Sequence, residues 1–239
     1  MYTYETRLGI SQTDTNGLQT VVSAIDMMQD CSHFWMESEP EFMSFLKQNN
    51  TIMILAFRQL DIFRLAEYGE RLTVKTSIYE CNSYFGYRNT TIYGSDGTAY
   101  AKSWGQGAFL SLSEGRPAKL PAAVANAITY DEKADMDYLP KKIRLPEAAF
   151  TQLPSIKPTP FDIDFNQHVN NARYVQMACE CLPSYREYNR LRIEYRKTAT
   201  QQDEITPFIY NGDNVAYVKL CTRNAEPYCT IEFSKFSVE

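Results

Sequence analysis

The segment Asp164-Phe-Asn166-Gln-His168-Val-Asn170-Asn171 gathers a carboxylate, a carboxamide and one of the two histidines of the chain within five residues. A carboxylate and an imidazole move protons, and an amide orients water or a carbonyl, so the trio suits general acid–base chemistry. The i, i+2, i+4 spacing of Asp164, Asn166 and His168 would place all three on one side of an extended segment, where alternate side chains share a face. From Asn171 the period changes. Ala172, Val175, Ala178 or Cys179 and Leu182 recur every three to four residues, which predicts that the trio feeds directly into an amphipathic helix over 170–182. A helix N-terminus offers unpaired N–H groups and partial positive charge, and both suit a carbonyl oxygen becoming an oxyanion. Each residue taken singly also has a plainer reading, Asp164 or Asn166 as a helix cap and His168 as a core histidine. Their occurrence in one frame favours carbonyl chemistry.

A second copy of this frame lies upstream. Asp14-Thr-Asn16-Gly-Leu18 repeats the Asp-x-Asn spacing but carries Leu18 where His168 would fall. The same alignment sets Met27 against Met177, Asp30 against Glu180 and Cys31 against Cys181. Further along, Asp61-Ile-Phe-Arg64 followed by Gly69-Glu-Arg-Leu-Thr73 answers to Glu194-Tyr-Arg-Lys197 followed by Gln202-Asp-Glu-Ile-Thr206. The chain therefore reads as a duplicated domain with one catalytic half and one that lacks the histidine. The expected organisation is a non-catalytic domain over 1–115, a Pro- and Ala-bearing linker over 116–147, and a catalytic domain over 148–239.

Both halves show the same succession of elements. In the first, a strand over 2–10 leads through the Asp14 loop into a helix over 18–37, with Val21, Ile25, Met28 and Trp35 as its buried stripe. Runs rich in Ile, Tyr, Phe and Thr predict strands at 52–63, 71–80, 85–94 and 99–112, broken at Ser83, Gly94-Ser-Asp-Gly97 and Glu114-Gly115. In the second half a strand near 152–160 precedes the helix, and strands are expected at 190–198, 204–211, 214–223 and 227–237, with Asn211-Gly-Asp-Asn214 as a hairpin turn. One long helix followed by an antiparallel meander is an α+β arrangement, a helix wrapped by a curved sheet.

Composition narrows the function classes. A 239-residue chain with 44% hydrophobic residues can build two cores of ordinary domain size. With 24 basic against 29 acidic residues, nucleic acid is not the expected partner. No apolar run is long enough for a membrane span, and strand-like sequence begins at once, so a cytoplasmic location is expected. The six cysteines lack the spacing of a disulfide scaffold or a zinc site and are expected as reduced, mostly buried thiols; no metal or other cofactor is expected. His33, alone mid-helix, is read as structural. Basic residues cluster at Arg116–Lys119, Lys141–Arg144 and, after the second helix, at Arg186, Arg190, Arg192, Arg196 and Lys197. They form either a solvated face or a docking surface for an acidic partner.

The Asp-x-Asn-x-His-Val-Asn-Asn-x-x-Tyr pattern, here Asp164 through Tyr174, resembles the signature of acyl-acyl carrier protein thioesterases. The order of elements over essentially the whole chain is similar to the tandem hotdog arrangement of that family, as are Leu191-Arg-Ile-Glu-Tyr-Arg-Lys197 and Gln59-Leu-Asp-Ile-Phe-Arg64. The resemblance implies hydrolysis of the thioester between a fatty acyl chain and the phosphopantetheine arm of acyl carrier protein, ending fatty acid synthesis. It implies no cofactor, and a monomer with an internal pseudo-dimer or a homodimer. Thioester hydrolysis gives Asp164 the part of base or nucleophile and Asn166 that of orienting water or the thioester. His168 would hold the water, polarise the carbonyl or protonate the leaving thiolate. Asn170, Glu194 and Thr198 are candidates for support. The resemblance implies that the Glu-Tyr-Arg-basic strand continues into an acidic residue and often a cysteine, whereas this chain has Thr198-Ala199; either the mechanism does not need that carboxylate, or Asp164 carries its part, or another acid such as Glu180 or Glu194 has taken over. Met27, Met28, Phe34 and Met53 are candidates for the acyl-binding wall. The alternatives are an acyl-coenzyme A thioesterase and a non-catalytic acyl-binding hotdog sensor.

Overall fold

The computed structural model describes residues 1–237 and separates into two compact units, Met1–Ala56 with Ile62–Tyr138, and Phe57–Asp61 with the chain from Leu139 onward. The first unit begins with β1 (Tyr2–Arg7), α1 (Val21–Glu37), α2 (Pro40–Gln48) and β2 (Thr51–Ile62), whose residues 57–61 count with the second unit. β3 (Arg71–Cys81), β4 (Phe85–Gly94), β5 (Ala99–Ser111), the two-residue β6 (Arg116–Pro117) and α3 (Ala122–Ala127) complete it. β1, β3, β4 and β5 pair in that order, all antiparallel. Thr20 caps α1 by accepting the Ser23 N–H at 3.0 Å. The expected stripe of Val21, Ile25, Met28 and Trp35 is buried.

α2, which the sequence left unplaced between Glu39 and Met53, enters the core through Phe42 and Leu46. These pack with Trp35, Ile78 and Phe109, and the Phe42 ring lies 5.9 Å from Trp35 and 6.1 Å from Phe109. Burying each such side chain contributes about 1.5–3 kcal/mol. The same cluster takes in Leu120 and Ile128. The stretch expected as a linker from 116 is therefore packed structure, and it continues along the first sheet. There the Asn89 carboxamide oxygen accepts from Ala134 N and Tyr138 Oη, while the Lys133 ammonium lies 3.6 Å from the centre of the Tyr138 ring.

The second unit contains the two-residue β7 (Thr151–Gln152), α4 (Asn171–Cys181), β8 (Arg190–Tyr195), β9 (Thr206–Asn211), β10 (Val215–Cys221) and β11 (Pro227–Ser234). Its antiparallel order runs from residues 57–61 through β8, β11, β10 and β9 to β7. The strand expected over 152–160 shrinks to β7 because Pro154, Pro158 and Pro160 remove the donors a ladder needs. Leu153 N to Pro207 O and the reciprocal pair between Ile156 and Ile205 continue the pairing. Each unit is a helix laid on a curved antiparallel sheet, so the α+β, tandem hotdog architecture is the one observed.

β8 alternates as a strand should, with Leu191 and Ile193 buried on one face and Arg190, Arg192 and Glu194 on the other. That second face is a row of ion pairs. Arg190 grips Asp61 with two bonds of 2.6 and 2.7 Å, and Arg192 grips Glu232 at 2.8 and 2.6 Å. The connector closes over them, with Leu139 N donating to Gln59 Oε1, Arg192 Nη1 to Pro140 O, and Ile143 N to Glu194 Oε1. Arg190 and Arg192 thus leave the proposed basic docking cluster, since both guanidiniums are buried and neutralised. Among the described residues no helix is long and apolar enough to cross a membrane.

Candidate active site

The Asp164–His168 segment is a tight turn rather than the extended stretch its spacing suggested. Gln167 N donates to Asp164 O at 2.9 Å, Asp164 N to His168 O at 2.9 Å, and Asn166 N to Asp164 Oδ1 at 2.8 Å. The aspartate bonding the amide two residues on closes the turn, and Gln167 completes it by adopting φ 64°. The loop is pinned on both sides. Val169 N donates to Ala199 O and Asn170 N to Asp162 O, both at 2.8 Å, while Asp162 Oδ2 accepts from Thr159 N at 2.7 Å and Thr159 Oγ1 at 2.8 Å. Ala199 N in turn donates to Tyr174 Oη at 2.8 Å, and Tyr195 Oη to Asn171 O at 3.2 Å.

Against this bonded frame stand three side-chain groups. Among the described residues no protein hydrogen bond reaches the His168 ring, the Asn166 carboxamide or Asp164 Oδ2. A loop whose turn is closed by backbone bonds while its polar side chains stay available is pre-organised to bind and react.

The first copy reproduces the scaffold. Gly17 N donates to Asp14 O at 3.0 Å, Asp14 N to Leu18 O at 2.8 Å, Asn16 N to Asp14 Oδ1 at 2.7 Å, and Gln19 N to Ala66 O at 2.8 Å. Gly17, at φ 75°, holds the position of Gln167. Here Asp14 Oδ1 takes a second backbone donor, Leu18 N at 3.1 Å, and no imidazole follows. The left-handed position gives a stability test. Gly17→Ala should lose about 1 kcal/mol of unfolding free energy although no atom lies within 4 Å of the added Cβ, because the cost is in φ and not in space. Gln167→Gly should be neutral or stabilising, and urea denaturation of both variants checks the pair of signs.

The supporting candidates take different places. Asn170 caps α4, accepting the Ala172 N–H at 2.9 Å. The Glu194 carboxylate is held by Ile143 N and Arg196, whose Nε approaches at 3.1 Å. Thr198 is exposed, and its neighbour Ala199 is buried as the backbone anchor of the loop. Glu180 is exposed and accepts from Gln176 Nε2. Sequence reasoning passed over Ala199 and the part played by Tyr174. The terminal Tyr of the motif was their signal, and burial pushes its phenol upward, keeping it a neutral partner for Ala199 N. Just beyond, Asp203 accepts from Thr200 N and Oγ1 and from Tyr228 Oη, bonds that hold its carboxyl below the usual range.

Of the acyl-wall candidates, Met27 and Met28 are buried on α1, with Gln19 Nε2 donating to Met27 Sδ at 3.3 Å. Met53 is half-buried, and a Cβ built on Gly107 would lie 2.9 Å from its sulfur, so glycine at 107 makes room for it. Phe34 sits at the surface, 39% exposed, against Tyr2 and Tyr4. The six cysteines are unpaired with one another. Burial raises the Cys31 thiol to about 11 and Cys179 to about 12, so neither supplies a thiolate. His33 lies on α1; burial, with the repulsion of Asp26, pushes the neighbouring Asp30 carboxyl up, and His33 offsets part of that rise. Among the described residues no three His, Cys, Asp or Glu side chains gather as metal ligands would.

Comparison with known proteins finds one family model on each half of the chain. The acyl-ACP thioesterase N-terminal domain matches residues 1–110, and the acyl-ACP thioesterase C-terminal domain matches residues 147–226. A crystal structure of an acyl-ACP thioesterase from Bacteroides thetaiotaomicron VPI-5482 has a TM-score of 0.86 at 20% identity, covering 97% of this chain and 96% of that one. The 12:0-ACP thioesterase from Umbellularia californica has a TM-score of 0.83 at 16% identity, again over 97% and 96%. No curated protein sequence matches. With both halves matched in order and the signature loop built as a pre-organised turn, the chain belongs to the acyl-ACP thioesterase family of fatty acyl-ACP hydrolases.

Proposed function

We propose that Asp164, Asn166 and His168 carry the hydrolysis of fatty acyl-acyl carrier protein in this chain, releasing free fatty acid and the carrier thiol and so ending chain growth. The observation behind this reading is the contrast within one loop, a turn closed by three bonds of its own backbone N–H groups and, among the described residues, three polar side-chain groups left available. Asp164 Oδ1 is occupied by the Asn166 N–H, so Oδ2 takes the proton of the attacking water. The water oxygen bonds to the thioester carbonyl carbon, and the negative charge moves to the carbonyl oxygen, where the Asn166 carboxamide donates a hydrogen bond. Collapse expels the pantetheine sulfur, which His168 protonates. The carboxyl proton of Asp164 passes through solvent to restore the imidazolium. Single-turnover hydrolysis in ¹⁸O-water reads the role of Asp164: label in its carboxylate marks attack on the thioester followed by water at the aspartyl carbonyl of the mixed anhydride, whereas a general base leaves no label in the protein. Asn170 caps α4 and Glu194 holds the connector, so both support the loop from outside the reaction, and the exposed Thr198 takes no part in it.

The experiment that tests the reading is incubation of the purified chain with acyl carrier protein loaded with chains of graded length, beside the matching acyl-coenzyme A series. Release of acid from the carrier at the greater kcat/KM is expected. Preference for coenzyme A would move the substrate class, and no release from either would leave an acyl-binding sensor.

We further infer that Met27, Met28 and Met53 of the first unit contribute to the wall against the alkyl chain, as flexible thioether side chains suit such a surface. Met27→Phe and Met28→Phe should shift the released acids toward shorter chains, at a stability cost of about 1–3 kcal/mol for overpacking. Gas chromatography of the product acids checks this, and an unchanged spectrum in both folded variants would remove these two residues from the wall.

A further inference from the structure

Two phenylalanines stand out in solvent beside the reactive trio. Phe161 is 96% exposed and Phe165 is 79% exposed, on either side of Asp162 and Asp164. Phenylalanine is ordinarily among the more buried residue types, and two so exposed within five positions form a local apolar patch. The loop that carries them is rigid. Phe161 rides on a 3₁₀ turn over Pro160–Asp162 closed by the Thr159–Asp162 bonds, and Phe165 sits inside the turn that Asp164 closes. Ordering cost on binding is thus already met by the fold.

The upstream copy shows that the scaffold itself does not require them. The same 3₁₀ turn over Ile10–Gln12 and the same Asp14 turn form with Ser11 and Thr15 at the corresponding positions, both exposed. The exposed apolar residue of that loop, Ile10, aligns instead with Pro160. Aromatic side chains therefore appear at these two positions only where the loop carries the histidine.

We propose that Phe161 and Phe165 are docking residues for the protein body of the acyl carrier protein; this rests on the reading of the loop as the catalytic site. The thioester is delivered on an arm whose far end is a protein. Consecutive Cα atoms are about 3.8 Å apart, so Phe165 is adjacent to Asp164 and Phe161 lies within about 11 Å of it along the chain. A carrier whose thioester reaches Asp164 comes to rest within that arm's reach of the loop, and both rings lie inside that reach. Rigid aromatic anchors that become desolvated in a complex are the side chains that dominate protein–protein affinity. The rings act in binding and take no part in the chemistry.

The test transplants the residues of the upstream copy, Phe161→Ser with Phe165→Thr, in the full-length chain. Three quantities are read: kcat and KM on acyl carrier protein, kcat/KM on the corresponding acyl-pantetheine, and the Kd of fluorescently labelled carrier protein with a free pantetheine thiol. The expected result is a rise of about tenfold or more in KM and in Kd for the carrier, with kcat/KM on acyl-pantetheine changed threefold or less. Equal losses on both substrates would overturn the proposal, since the rings would then be supporting the turn. Unchanged carrier kinetics and affinity would overturn it as well. Loss of co-sedimentation with phosphatidylglycerol vesicles, with carrier binding intact, would overturn it in favour of a lipid surface. A wild-type protein that binds the carrier through these rings yet releases no acid would sustain the docking surface and sink the catalytic reading, so the two failures are distinguishable.

Discussion

Replacing His168 with alanine is expected to lower kcat on acyl carrier protein by roughly 10²–10⁴, the range for loss of a general acid or base, and to leave the melting temperature nearly unchanged. The second half of that expectation comes from the geometry. No hydrogen bond of the fold reaches the ring, and the turn is held by the backbone of residue 168, which alanine keeps. Asp164→Asn should be at least as damaging. Its Oδ1 still accepts the Asn166 N–H and preserves the turn, but an amide cannot take a proton from water. Thr198→Glu introduces the carboxylate that the family resemblance leads one to expect at this position. Because position 198 is exposed, the new charge remains solvated and activity should be equal or raised. His33→Ala serves as the control and should retain normal turnover. Initial rates of acid release, with circular dichroism for the fold, decide all four variants. Normal rates in both Asp164→Asn and His168→Ala would make the loop structural.

The largest stability effect is expected at the Asp61–Arg190 pair. Both side chains are almost fully buried, 2% and 8% exposed, and the aspartate also accepts from Gln59 Nε2 at 3.1 and 3.2 Å. Asp61→Ala removes the anion and leaves a guanidinium without its counter-charge, which should cost about 3–5 kcal/mol of unfolding free energy. Replacing both partners by apolar residues of similar volume, Asp61→Leu with Arg190→Met, should recover most of that loss, since no buried charge then remains. Urea titrations of the single and double variants measure the two values. A double variant no more stable than Asp61→Ala would show that the pair is worth more than the desolvation it demands.

These two sites differ in how far each could be seen in advance. The Asp164–His168 loop stood out because its signal is local, three chemically competent residue types in one frame, followed by a helical period that begins at Asn171, where α4 begins. The helix stripe of Val21, Ile25, Met28 and Trp35 and the strand over 85–94 were legible for the same reason, being periods of side chains against one face. The shape of the trio was not. Alternation along an extended chain was the natural reading, and it gave way because Asp164 bonds the amide of Asn166 while Gln167 accepts a left-handed φ that a glutamine seldom adopts.

The sequence by itself determined the duplicated architecture, the helix and strand periods, the pairing of one histidine-bearing loop with one that lacks it, and through these the family. Each of those is written in residues a few positions apart, or in the repetition of such a pattern. Only the tertiary structure decided that Arg190 and Arg192 are buried ion-pair partners and not a basic surface, because Asp61 lies 129 positions from Arg190 and Glu232 lies 40 from Arg192. It likewise decided that Leu120 and Ile128 of the expected linker belong to the first core, and that Phe161 and Phe165 face solvent. Burial and charge pairing depend on which distant segments the sheet brings side by side. The propensity of a residue shows that it can pack or pair, and only the folded chain supplies its partner.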